Sequence, residues 1–151
     1  MAHPTITPDT TLRITRTFAA PRERVFRAWT EPEQLKRWWG PPGYGTPVAE
    51  VDLRVGGRYR FGMRHLPDGE IFYLSGTYRE VTPPARLVYT WRWEGEPDGQ
   101  ESRVTVEFND RGASTDVVVL HEMFASRDER DKHEQGWTGC LERLVETLAA
   151  G

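Results

Sequence analysis

Residues 127–149 read RDERDKHEQGWTGCLERLVETLA, and this stretch decides the fold. Apolar side chains recur along it at steps of three and four residues, with Glu, Arg and Lys side chains between them. The apolar face consists of Trp137, Cys140, Leu141, Leu144, Val145 and Leu148. This spacing predicts one long amphipathic helix, whose apolar face must be covered by another layer of the same domain.

The sequence before this helix has a period of two instead of a helical period. It predicts strands over 47–53, 57–65, 71–81, 86–93, 103–109 and 114–122. Short links rich in Gly, Pro and Asp join these strands, which implies antiparallel neighbours. The strand 71–81 has apolar residues at both parities, and we expect a bulge near Gly76 to explain this.

The first part of the chain adds one more strand and two short helices. Alternation predicts a strand over 12–18, and Pro21 suits the first turn of a helix that ends near Trp29. Thr30, with Glu33 three residues later, is predicted to cap a second helix that ends at Gly40. Residues 1–10 are predicted to be a flexible tail, and 11–151 a single domain. The predicted class is α+β, a curved seven-stranded antiparallel sheet around the C-terminal helix.

Alternation also assigns the side chains that face the space between sheet and helix. The candidate ligand-binding residues are Trp39, Phe61, Met63, His65, Tyr89, Trp91, Phe108, Val119, His121, Trp137, Leu141 and Leu144. They fit a pocket with apolar walls and a few polar groups, or a solid core in which the Tyr and His side chains are satisfied internally. Periodicity does not distinguish the two. Of the adjacent Trp38 and Trp39, we expect one to be buried and the other to lie near the cavity opening.

Composition excludes several classes of function. The 20 basic and 23 acidic residues of this 151-residue chain give a net charge of -3, which disfavours nucleic acid and anionic membranes as partners. No apolar run is long enough to insert into a membrane, and the single Cys140 cannot form an internal disulfide, so we expect a cytoplasmic protein. The four His residues lack the spacing of a metal site. We therefore predict no metal, no cofactor and no assigned catalytic residue.

Several motifs together resemble the START-like (SRPBCC) superfamily. In chain order they are TFAAP at 17–21, WWGP at 38–41, DLRVGG at 52–57, GTYREV at 76–81, PARLVYTW at 84–91, His121-Glu122 and Gly136-Trp137. They look most like the branch named after the C-terminal domain of the activator of the heat-shock protein ninety ATPase. The resemblance implies a helix-grip fold, in which the sheet grips the C-terminal helix over an elongated cavity.

The resemblance leaves three functions open, because one scaffold serves many of them. The first is the binding of a small apolar or aromatic molecule in the cavity. The second is a reaction like that of the polyketide cyclases, with His65, Tyr89 or His121 as the acid-base group. The third is a protein-interaction module like the co-chaperone, in contact with a chaperone. The outward Val118 and Leu120 also keep a homodimer interface open.

Overall fold

The structure is a computed structural model that describes residues 10–40, 43–95 and 101–149. Its elements are β1 (Leu12–Phe18), α1 (Arg22–Thr30), α2 (Pro32–Trp38), β2 (Tyr44–Val51), β3 (Arg58–His65), β4 (Ile71–Thr82), β5 (Arg86–Trp93), β6 (Ser102–Asp110), β7 (Thr115–Glu122) and α3 (Arg127–Ala149). The predicted N-terminal tail lies outside the described residues, except for Thr10.

The seven strands form one antiparallel sheet in the order β1-β7-β6-β5-β4-β3-β2. Consecutive strands from β2 to β7 are therefore neighbours, whereas β1 crosses through α1 and α2 to pair with β7. The long helix α3 packs across the inner face of this curled sheet. These observations confirm the predicted α+β class and the helix-grip architecture.

The inner face of the sheet carries the residues that alternation assigned to it. Tyr59, Phe61 and Met63 of β3 are buried, whereas Arg58, on the opposite face, is exposed. The residues predicted to face inward on the later strands are also buried: Tyr89 and Trp91 of β5, Phe108 of β6, and Val119 and His121 of β7. Alternation therefore identified the core-facing side chains of these strands correctly.

The outer face of the sheet carries Val118 and Leu120, as predicted, but among charged side chains. Arg103 Nη2 lies 3.1 Å from Glu122 Oε1, and Val118 is itself 8% exposed. Little apolar surface is therefore left open at this position. The homodimer stays a prediction.

The predicted bulge in β4 is present, and it lies two to four residues beyond Gly76. The pairing of β4 with β5 slips by one residue between Tyr78 and Glu80. Gly76 has a different role: its missing side chain lets the Tyr59 ring pass over β4, so that the Tyr59 hydroxyl donates to the Thr90 carbonyl of β5. The glycine therefore marks a close approach between three strands and not the bulge.

The predicted cap of the second helix was also wrong. Thr30 is the last residue of α1, and its hydroxyl donates to the Phe26 carbonyl at 3.0 Å. Glu31 is the N-cap of α2 and makes no side-chain capping bond. The reason is Pro32, whose ring disfavours helical torsions in the residue before it, so that Glu31 is extended and separates the two helices.

Arg143 of α3 holds the segment between α2 and β2 in place. Its Nη1 donates to the carbonyl oxygens of Trp39 at 3.2 Å, Gly40 at 3.1 Å and Tyr44 at 3.0 Å. The Thr46 hydroxyl donates to the same Trp39 carbonyl at 2.7 Å. One side chain thus fixes the position of Trp39 relative to the long helix.

Candidate functional site

A pocket of about 240 Å³ lies between the first part of α3 and strands β3 to β5. It is lined by Trp39, Gly40, Tyr44, Met63, Phe72, Trp91, Trp93, Glu129, Lys132, His133, Gly136, Trp137 and Cys140. Phe72 and Lys132 are exposed, so they mark the mouth. Most of the wall is aromatic, which suits a flat apolar guest.

Three indole rings meet at the inner end of this pocket. The ring centroids of Trp39 and Trp137 are 5.4 Å apart, those of Trp91 and Trp137 5.6 Å, and those of Trp39 and Trp91 5.8 Å. Met63 lies beside them, with 1% of its surface exposed. The structure thus brings together Trp39, Met63, Trp91 and Trp137 from the predicted set.

The other predicted residues lie outside the pocket. Phe61, Tyr89, Phe108, Val119, His121, Leu141 and Leu144 are all buried in the core. A second cavity, bordered by Phe61 and Tyr89, has about 10 Å³, which is no more than one water molecule needs. The space between sheet and helix is therefore filled at this end, and the elongated cavity that the resemblance implied is a shorter pocket at the other end.

His65 is exposed and does not line the pocket. It is the last residue of β3, and its ring packs edge-on against Tyr44 with the centroids 5.0 Å apart. Alternation gives the face of a strand but not the point along it where the helix stops covering that face. His65 therefore cannot orient a ligand in this pocket without a rearrangement.

Both adjacent tryptophans are buried, so the prediction that one of them lies near the cavity opening was wrong, although they have different partners. Trp38 Nε1 donates to the Ala28 carbonyl at 2.9 Å, which anchors α2 on α1. Trp39 lines the pocket and contacts Phe61 at a centroid distance of 5.0 Å. Trp38 is therefore structural, and Trp39 contributes to the site.

His121 belongs to a buried polar chain directly behind the pocket wall. Trp137 Nε1 donates to its Nδ1 at 3.1 Å, so the ring proton is on Nε2, which donates to the Ser102 hydroxyl at 2.8 Å. Ser102 in turn donates to the Trp91 carbonyl at 3.4 Å. Burial lowers the pKa of His121 well below its usual value. The ring is therefore a neutral positioning group for two pocket residues.

The pKa of His121 predicts how stability depends on pH. Below the ordinary histidine pKa of about 6.5 the unfolded chain takes up a proton that the folded chain does not, so stability falls as the pH is lowered. The slope from this group is at most about 1.4 kcal/mol per pH unit. His121→Asn keeps an oxygen that accepts from Trp137 and removes the titration, so we expect a flatter profile. Urea denaturation between neutral and mildly acidic pH checks this, and equal slopes in both proteins would contradict it.

Two further side chains of the wall, Cys140 and His133, are uncharged. Cys140 is buried, and burial raises the pKa of its thiol to about 12, so the thiol is uncharged at neutral pH. His133 Nε2 accepts from Trp93 Nε1 at 3.0 Å, and its Nδ1 lies 2.6 Å from the Glu129 carbonyl. Both nitrogens are thus engaged, and the ring is the uncharged tautomer.

Gly136 is a site residue that alternation and helical spacing did not identify. It lies inside α3 in the pocket wall, and a Cβ atom built on it would have nothing within 4 Å. The sequence does contain an indication of this site. A glycine in the middle of an amphipathic helix destabilises the helix, so its presence suggests a packing or functional role.

A metal centre and a membrane-spanning helix are both absent from the described parts of the chain, 10–40, 43–95 and 101–149. No group of three or more His, Cys, Asp or Glu side chains is placed to hold a metal ion there. Within the same ranges, no helix combines the length and the hydrophobicity that crossing a membrane requires.

The solved structures similar to this chain share its fold. Protein CV1439 from Chromobacterium violaceum has a TM-score of 0.84 and 28% identity, over 91% of this chain and 95% of its own. An AHSA1 protein from Silicibacter pomeroyi has a TM-score of 0.83 and 30% identity, over 93% and 98%. A Plasmodium falciparum protein described as an HSP90 activator has a TM-score of 0.73 and 25% identity, over 93% and 96%.

Curated relatives and a family match agree with these structures. The human activator of 90 kDa heat shock protein ATPase homolog 1 is 23% identical over 130 residues, which are 86% of this chain and 34% of the human protein. The chain thus spans about a third of the length of that relative. Residues 19–149 match the family described as Activator of Hsp90 ATPase homolog 1-like protein. The chain therefore belongs to this family, within the START-like superfamily.

Proposed function

We propose that this protein binds a small, largely apolar aromatic molecule in the pocket between α3 and the sheet. Six aromatic side chains line the pocket, and they come from the α2–β2 segment, the sheet and α3. The volume of about 240 Å³ lies just below the range of about 300–1,000 Å³ for sites of drug-sized ligands, so a guest of one or two fused rings is the best fit.

The observation that carries this proposal is the glycine in the helical wall. Gly136 costs the helix about 0.5–1 kcal/mol relative to alanine. In return it keeps open a space in which a Cβ atom would contact nothing within 4 Å. A protein that used α3 only to fill its core would be more stable with a larger side chain here, so the opening supports a binding role.

Binding without transformation fits the polar groups better than catalysis does. His121 and Tyr89, two of the candidate acid-base groups, are buried behind the wall, and burial raises the pKa of Tyr89. His65 is outside the pocket. Within the wall, His133 uses both ring nitrogens for contacts inside the protein. None of the three candidate acid-base groups therefore lies where it could exchange a proton with a guest in this pocket.

A pocket-blocking variant tests the proposal. Gly136→Leu should place an isobutyl group in the pocket, so we expect a fold at least as stable and the loss of the rise in melting temperature that ligands cause. Gln135→Leu adds the same side chain at the neighbouring exposed position and should keep the ligand effect. Thermal shifts with a panel of one-ring and two-ring aromatics provide the measurement. Native mass spectrometry of protein from its own host would identify a retained guest, and equal binding by Gly136→Leu would contradict the proposal.

A contact with an Hsp90 chaperone is a second candidate. It is favoured by the Plasmodium falciparum protein described as an HSP90 activator, which this chain matches over 96% of that chain. The test is the ATPase rate of the host's Hsp90 with and without this protein. A rate that does not change at saturating concentration would count against it.

A further inference from the structure

One residue of the pocket wall has a buried hydrogen-bond donor that is left without a partner. Trp91 is 6% exposed and lines the pocket, and its Nε1–H has no acceptor among the described residues. No other side chain of the described wall has an unpartnered buried polar atom. A buried donor left in this state costs about 1–3 kcal/mol, so natural cores rarely keep one without a reason.

The two neighbouring indole N–H groups in the same wall both have hydrogen-bond acceptors within the protein. Trp93 Nε1 donates to His133 Nε2 at 3.0 Å, and Trp137 Nε1 donates to His121 Nδ1 at 3.1 Å. Each of these indoles has a histidine partner, whereas Trp91 between them has none. The unsatisfied donor is therefore particular to one residue of the site.

The Trp91 ring is held in place from several sides. Its centroid lies 4.7 Å from that of His121, 5.6 Å from that of Trp137 and 5.8 Å from that of Trp39. A ring packed in this way has little freedom to turn its N–H toward solvent. The Trp91 side chain is therefore already ordered. An acceptor that bonds to its N–H causes no further loss of side-chain entropy at this residue.

The charges at the mouth favour an uncharged guest. Glu129 and Lys132 have opposite charges, and Lys132 Nζ lies 3.8 Å from Glu129 Oε1. His133 is in its neutral tautomer, since its Nε2 accepts a hydrogen bond. No net charge of the described wall therefore attracts an anion or a cation into the pocket.

We propose that Trp91 Nε1–H selects the ligand, which is an uncharged aromatic or heteroaromatic molecule with a hydrogen-bond acceptor on its edge, a ring nitrogen or a carbonyl oxygen. This inference rests on the proposed function and narrows it to one chemical class. The six aromatic side chains supply the apolar contact, and the single donor of Trp91 sets the orientation. An otherwise identical hydrocarbon binds more weakly, because it leaves that donor unpaired.

Three probes of equal shape test it: naphthalene, which has no acceptor, and quinoline and isoquinoline, in which one ring carbon is a nitrogen. At a pH where all three are uncharged, we expect the better of the two nitrogen compounds to bind about three- to tenfold more tightly than naphthalene. In ¹⁵N-labelled protein the Trp91 indole proton should move downfield with that compound and not with naphthalene.

Two variants locate the effect. In Trp91→Phe, which also assigns the resonance, the preference for the nitrogen compound should disappear. In Trp93→Phe the preference should persist, because the Trp93 donor is already bound to His133. If Trp91→Phe does not fold, NOE and triple-resonance spectra of the wild-type protein assign the Trp91 indole resonance instead, and its shift decides.

The outcomes separate this inference from the proposed function. Equal binding of all three probes, with no shift of the Trp91 resonance, overturns the role of Trp91 and leaves the aromatic pocket in place. Tighter binding of N-methylquinolinium than of any neutral probe overturns the inference in favour of cation recognition by the aromatic wall. Absence of binding by every probe up to its solubility counts against both proposals.

Discussion

Replacing Trp137 with alanine is expected to lower the free energy of unfolding by about 3–5 kcal/mol. Trp137 is 3% exposed, and its ring lies between those of Trp29, Trp39 and Trp91, with centroid distances of 6.2, 5.4 and 5.6 Å. The substitution removes these contacts and also leaves the buried His121 Nδ1 without its donor. Urea denaturation monitored by circular dichroism measures the loss.

Trp137→Phe is the matched control for this prediction. It keeps an aromatic ring and removes the N–H, so we expect a smaller loss of about 1–3 kcal/mol, mainly from the unpaired His121. A loss below about 1 kcal/mol in Trp137→Ala would be too small for a packed core position. Such a result would mean that the ring packs less tightly against its neighbours than described.

Gly76→Ala is expected to destabilise the fold by about 3 kcal/mol or more, although it adds only one methyl group. A Cβ atom at Gly76 would lie 2.0 Å from the Thr90 carbonyl oxygen and 2.6 Å from Tyr59 Cε2. The Thr90 carbonyl belongs to the backbone of the neighbouring strand, so relief of the first clash requires that β4 and β5 separate. Relief of the second requires that the Tyr59 ring moves, which disturbs its hydrogen bond to Thr90. Thermal and urea denaturation report the loss.

The control for Gly76 is the same substitution at Gly136, where the new methyl group meets nothing within 4 Å. Because alanine favours the helix, Gly136→Ala should raise stability by about 0.5–1 kcal/mol. Opposite signs for the two substitutions are the expected result. A neutral Gly76→Ala would mean that the three strands do not approach as closely as described.

The sequence predicts the secondary structure well where one face of an element is buried. The strand 12–18 and the helix 127–149 have the predicted bounds, because alternation and helical spacing record which side chains avoid water. The strand containing Gly76 was harder to predict, since a one-residue slip near Tyr78 exchanges its faces partway along. Thr30 was misassigned because the effect of Pro32 on the residue before it outweighs the preference of threonine for a cap.

The site is less predictable than the fold. Parity places Met63 and Trp91 on the inner face but does not distinguish them from Phe61 and Tyr89, which lie on the same faces and fill the core. Whether a side chain lines a pocket depends on where the helix and its neighbours end and on side-chain rotamers. The opening beside Gly136 exists because glycine has no Cβ atom. The periodicity of apolar residues gives no information about such a position.

The pairing of β1 with β7 has a consequence for synthesis of the chain. Leu12 lies opposite His121, so on the order of a hundred residues must be translated before the first strand meets its partner, which takes roughly ten seconds at ribosomal rates. During that interval β1 is an unpaired strand that could join another chain. It carries Arg13 and Arg16, one on each face of the strand, and charges on an unpaired strand oppose such association. The two arginines are therefore expected to hinder pairing with another chain in the interval before the sheet is complete.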